Sequence, residues 1–196
     1  MKKKCLLVSA RKKSRTLSSL CIMLAALSTG FATINAHAMS QNTIRFQGEV
    51  NAQTCHVDVN GASGSPVVLL PTVSTNQLAN ASARAGATSF TVNISGCQAP
   101  TAGDQIINLV LAGNNVTPSG NLGNTGSAKN VELQLLDSVG GKKIDLSSGS
   151  ASVEGMLLTR GSTSASRNFA VQYYTPTGSV EAGSVLGSVQ YAISYP

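Results

Sequence analysis

The feature that most limits what this chain can fold into is its segmentation: apolar residues come in short runs, each closed off by turn formers. Val67 to Leu70 (VVLL), Phe90 to Ile94 (FTVNI), Ile106 to Leu111 (IINLVL), Val131 to Leu136 (VELQLL), Phe169 to Tyr173 (FAVQY) and Val185 to Tyr195 each read as strands. Gly113-Asn114-Asn115, Pro118-Ser119-Gly120, Gly123-Asn124, Gly140-Gly141 and Pro176-Thr177-Gly178 lie between them and supply turn chemistry. No window of 12 or more residues carries a helical apolar period. The pattern predicts an all-β domain, and strands at this spacing suggest a sandwich of the immunoglobulin-like type, although no tryptophan is present to pack on a core disulfide.

The first 38 residues read as an export signal. A basic stretch (Lys2, Lys3, Lys4, Arg11, Lys12, Lys13, Arg15) precedes an apolar run from Leu17 to Leu27, and small residues lead to Ala36-His37-Ala38, the kind of site a signal peptidase accepts. The run falls short of the roughly 20 apolar residues of a membrane-spanning helix. A retained anchor, or a cut after Ala32 or Ala36, are the alternatives. A cut after Ala38 leaves 158 residues, enough for one core. It also removes seven of the fourteen basic residues, leaving seven against eight acidic ones, a net charge of −1 in place of +6. The basic footprint of a nucleic-acid binder therefore does not survive in the exported chain.

Cys5 and Cys21 leave with the signal, so Cys55 and Cys97 remain. Two cysteines in an oxidising compartment most simply form one disulfide, and neither a CxxC spacing nor a histidine cluster supports a redox or metal pair. Closing a loop of about 43 residues stabilises the fold by roughly 4 kcal/mol in the chain-entropy model.

The catalytic inventory is thin. His56 is the only histidine after His37, so a site built on several imidazoles is excluded. A triad would need His56 with Asp58, but alternate residues on a strand share a face by default, and the plain reading is an exposed strand histidine beside the disulfide. A hydrolase on a β scaffold, testable by mutating His56, is the weakest reading. The eight carboxylates single out no glycosidase pair, and the glycines near Gly120, Gly123 and Gly126 do not lead from a strand into a helix as a phosphate loop requires. No catalytic residue, metal ligand or cofactor is expected.

The two ends of the exported chain carry the remaining signal. In the last fourteen residues, GSVLGSVQYAISYP, the residues Val185, Val189, Tyr191, Ile193 and Tyr195 share one parity, with Gly187 as the gap. Such a strand shows one apolar face, and a chain that ends on it contributes a sheet edge that must be paired or covered. From pattern alone this is equally a core strand of a complete sandwich. At the other end, Asn42, Ile44, Phe46 and Gly48 share one parity in an arm ahead of the first cysteine that closing the core does not require.

These residues resemble the subunits of chaperone–usher fimbriae, specifically the type 1 major pilin group. The resemblance rests on Phe46-Gln47-Gly48-Glu49-Val50 followed by Cys55, on Gly86 and Phe90-Thr91-Val92-Asn93-Ile94 leading to Cys97, and on Asn130 to Asp137 (NVELQLLD). It continues through Phe169 to Tyr174 (FAVQYY) to a terminal strand with Gly183 fourteenth from the end and Tyr195 penultimate. Together these cover nearly all of the exported chain in order.

What the resemblance implies is an incomplete immunoglobulin-like sandwich, residues 49–196, lacking its last strand and completed by a donor strand from a neighbouring subunit. A periplasmic fimbrial chaperone fills the groove first. The amino-terminal arm of the next subunit then replaces it at an outer-membrane usher. On this reading residues 39–48 are the donor arm, Ile44 and Phe46 its pocket fillers, and Asn42 stands where the family commonly has a glycine. Gly183, Val185, Val189, Tyr191, Ile193 and Tyr195 line or border the groove and face the chaperone, and the carboxylate of Pro196 is held by basic chaperone residues. The product is an extracellular fimbrium on the bacterial surface that serves attachment, a homopolymer or a mixed filament. The alternative is a self-contained secreted β-sandwich that binds a carbohydrate or a protein.

Overall fold

In the computed structural model, residues 55–195 are described. They form β1 (His56–Val59), β2 (Arg84–Ser95), β3 (Gln105–Gly113), β4 (Leu122–Gly123), β5 (Glu132–Leu136), β6 (Ser150–Leu158), β7 (Ala165–Tyr174) and β8 (Val189–Ser194), with a short 3-10 turn at Thr75–Leu78. One sheet has the order β1-β2-β7-β5-β4 and the other β6-β3-β8, and every pairing between these strands is antiparallel.

Period-two alternation sends one face of each strand inward. Val92, Ile94, Leu133, Leu135, Phe169 and Val171 of the larger sheet meet Ile107, Leu109, Leu111, Met156 and Leu158 of the smaller in one core, where the rings of Phe90 and Phe169 stack at 5.9 Å. The expected disulfide is present: Cys55 and Cys97, with Cα atoms 4.2 Å apart, tie the start of β1 to the end of β2, next to the first pair of their ladder, His56 and Ser95.

Two predicted strands change. Val67 to Leu70 keeps the alternation, Val68 and Leu70 packing on the core while Val67 and Leu69 stay 78% and 82% exposed. It joins no ladder, and among the described residues the main chain of 65–73 makes no hydrogen bond. Pro66 and Pro71 at its ends have no N–H to donate. The terminal run pairs with β3 only from Val189. Its first half lies instead beside residues 124–128, with Thr125 N–H donating to the Leu186 carbonyl at 2.8 Å and Ala128 N–H to the Ser184 carbonyl at 3.0 Å. Glycine permits that passage. A Cβ on Gly183 would lie 2.4 Å from the Ala128 nitrogen, and one on Gly187 2.9 Å from Leu133 Cδ1.

Three strands lie outside the six apolar runs, β1 being the strand on which exposed His56 was expected. In β1, Val57 and Val59 point inward. β4 includes Gly123, read from sequence as a turn residue and here paired with Glu132. β6 hides its alternation: Ala151 and Val153 pack inward before an irregularity in its pairing with β3, Met156 and Leu158 after it. A bulge of this kind shifts inward parity by one residue.

Candidate functional site

A cleft of about 740 Å³ opens between the two sheets. One lip is residues 64–70, the extended segment without a ladder, and the other runs from Gly187 through Val189 to Tyr191. Phe90, Val92, Leu109, Leu111, Leu133, Leu135 and Val171 form its floor. The floor is thus the inward face of β2, β3, β5 and β7, apolar because those strands supply the core. A second cleft of about 360 Å³ borders the same two chain segments farther along, at Thr72–Thr75 and Val180–Val185, over Leu78, Val131 and Tyr173. Its desolvating surroundings push the Tyr173 phenol above its ordinary range.

Both lips come from stretches without any charged residue, 61–83 and 183–196, and none of the residues lining the larger cleft is charged. The main chain is less well matched. β8 is an edge strand of its sheet, and the facing segment makes no main-chain-to-main-chain hydrogen bond among the described residues. Across the cleft the Tyr191 hydroxyl donates to the Gly64 carbonyl at 3.2 Å. An apolar trough bordered by two such edges suits an extended segment whose alternate side chains are apolar: its main chain would pair with the edge while those side chains fill the floor.

The sequence-predicted site residues divide as follows. Val189 and Tyr191 line the larger cleft and Gly183 and Val185 the smaller. Ile193 and Tyr195 pack partly buried against the core. Asn42, Ile44, Phe46, Gly48 and Pro196 lie outside the described residues. Sequence reasoning missed the opposite lip, 64–70, whose signal is an apolar run bracketed by Pro66 and Pro71. It also missed the floor, whose residues look like any core.

Two of the carboxylates weighed for catalysis, Asp58 and Glu132, have structural partners. Asp58 accepts from Asn93 Nδ2 at 2.7 Å and from Gly61 N–H at 2.8 Å, holding a turn. Buried Glu132 accepts from Asn121 Nδ2 at 2.8 Å. Gln134 Oε1 accepts from Gln172 Nε2 at 2.8 Å and from Arg84 Nε at 3.2 Å, joining β5, β7 and β2 through side chains.

Residues 44–196 match the family model described as fimbrial protein. The chain is 36% identical over 169 residues to the F17 fimbrial protein of Escherichia coli, covering 84% of this chain and 92% of that one. It is 34% identical over 160 residues to the major fimbrial subunit SMF-1 of Stenotrophomonas maltophilia, covering 80% and 93%. Its fold is similar to that of a subunit in a solved chaperone–usher pilus, with a TM-score of 0.53, 14% identity, and coverage of 81% of this chain and 97% of that one. These relatives are fimbrial proteins, which favours a pilus component over a self-contained binding module. An all-β sandwich with an apolar cleft at a sheet edge, matched over most of its length by fimbrial subunits, belongs to the fimbrial protein family: the chain is a pilin subunit.

Proposed function

We propose that this subunit polymerises by strand exchange: the cleft between β8 and residues 64–70 is the place of a missing strand, and residues 39–48 of a neighbouring copy fill it. The observation that carries this is an uncharged apolar trough with an edge strand on one side and an extended, unladdered segment on the other. Ile44 and Phe46, two residues apart, are spaced to place both side chains on one face of an added strand, about 6.6 Å from each other.

The rest of the assembly route is what the resemblance to chaperone–usher subunits implies. Residues 1–38 direct export and are removed. In the periplasm a fimbrial chaperone covers the cleft with a strand of its own and holds the terminal carboxylate of Pro196 with basic side chains, since an apolar edge left open is an aggregation hazard. An outer-membrane usher is where the arm of the next subunit takes over, and the finished filament serves attachment at the cell surface.

The test is to purify the chain from Met39, with and without a co-expressed chaperone, beside a variant carrying residues 39–48 again after Pro196 through a short linker. Aggregation or polymerisation of the bare chain, with a stable monomer for the arm-appended one, is the expected result. A bare chain that is already a monomer with a cooperative melt sinks the missing-strand reading.

A further inference from the structure

Little holds the lip opposite β8. Among the described residues the main chain of 65–73 makes no hydrogen bond, and Val68 and Leu70 anchor it through one face. At its start Gly64 has φ +79°, with nothing within 4 Å of where a Cβ would stand, and Gly61 before it has φ +82°. Gly61 is held in a turn by its N–H bond to Asp58 and by the Val59–Ala62 pair, so the pivot is Gly64, whose backbone turns with little steric resistance. One polar tie between this lip and β8 is the Tyr191 hydroxyl, which donates to the Gly64 carbonyl at 3.2 Å. Its two ends differ in freedom: Tyr191 is fixed in the β3–β8 ladder opposite Leu111, whereas Gly64 belongs to no strand.

We infer that Tyr191 is a clasp that closes the groove of an unfilled subunit and sets the rate at which a strand enters. The inference rests on the strand-exchange reading above. A segment adding to the free edge of β8 has to pass between β8 and the lip, along the path the Tyr191–Gly64 bond crosses, so the bond opens before the strand is seated past Tyr191. It belongs to the empty state and is absent from both the transition state and the filled state. Deleting the hydroxyl therefore speeds entry and leaves exit unchanged, because only the starting state loses an interaction. The expected factor is that of one neutral hydrogen bond, about two- to ten-fold. Phenylalanine is the substitution of choice, since it keeps the ring that packs against the core.

The experiment follows entry of a fluorescent peptide of residues 39–48 into the secreted chain, refolded at high dilution, for the wild type and Tyr191→Phe. If the chain self-polymerises too quickly for this, the initial rate of polymerisation by light scattering reports the same step, because each chain carries its own arm. A two- to ten-fold faster entry, with peptide release within two-fold of wild type, supports the clasp. Equal entry rates overturn it, and so does faster release with unchanged entry, which would place the hydroxyl in the filled state instead. A wild-type chain that neither takes up the peptide nor polymerises rejects the strand-exchange reading itself, a result distinct from equal rates in two competent chains.

Discussion

Truncating Phe46 to alanine within the appended arm of the self-complemented chain measures how deeply that arm is seated. The floor it would cover is nearly sealed from solvent: Leu109 is 0% exposed, Leu133 6% and Leu135 4%. Burying a phenyl side chain against such a surface stabilises by about 1.5–3 kcal/mol, and truncating one inside a filled core costs about 3–5 kcal/mol because a cavity remains. The trough is open along one side, so the lower part of the combined range applies, about 2–3 kcal/mol. The arm is in the same chain, so the loss falls on the unfolding free energy and lowers the urea midpoint by about 1–2 M for a slope near 1.5 kcal/mol/M. Urea denaturation followed by circular dichroism reads it. A double-mutant cycle then tests location. Phe46→Ala combined with Leu133→Ala or Leu109→Ala should be non-additive by at least about 0.5 kcal/mol. The pair Phe46→Ala and Leu158→Ala, a core residue that does not line the cleft, should add. A cost for Phe46→Ala below about 0.5 kcal/mol, the usual effect of a surface substitution, refutes the reasoning.

Other outcomes follow from single features of the fold. Gly183→Val places a Cβ 2.4 Å from the Ala128 nitrogen and should destabilise the arm-appended chain by about 1–3 kcal/mol, read as a lower urea midpoint; an unchanged midpoint would mean that the passage beside residues 124–128 is looser than described. Replacing both Cys55 and Cys97 by serine opens a cross-link of sequence separation 42 and should cost about 4 kcal/mol, with the same loss on reduction of the wild type. Asp145 is held below its ordinary carboxylate range by the Ser147 backbone N–H first, then by the Ser147 hydroxyl and Lys143. A lowered folded-state pKa contributes stability that is present above the unfolded value of 3.8 and lost as pH falls through the folded one. The difference in melting temperature between wild type and Asp145→Ala should therefore be present at neutral pH and shrink in strong acid.

Most strands were legible because their signal is local. FTVNI, IINLVL and FAVQY alternate or are continuously apolar, and each became a strand whose inward residues are the ones the alternation picks out. β6 was not legible because a bulge shifts its inward set from Ala151 and Val153 to Met156 and Leu158, so no single parity spans SASVEGMLL. VVLL was legible as an extended alternation but not as a strand without a ladder, since whether a neighbour lies alongside is not written in the segment. The terminal run has the same limit: one parity covers Val185 to Tyr195, yet its first half bonds residues 124–128 and its second half β3. Of the candidate site, the chain's own terminal face could be read from pattern, whereas Phe90, Leu109, Leu133 and Val171 on the floor carry no mark that separates them from buried core.

By itself the sequence determined the all-β class, the pairing of Cys55 with Cys97, the uncharged character of the last fourteen residues and the apolar face of the last strand. Each follows from side-chain chemistry at short range along the chain or from a count of residues. Only the tertiary structure decided that the extended segment at 64–70 stands across a cleft from β8, that Gly183 and Gly187 mark where the last strand passes close to its neighbours, and that Tyr191 reaches Gly64 over the opening. Those relations join residues up to 127 positions apart, and they depend on which edges the two sheets leave unpaired once every other strand has found its partner.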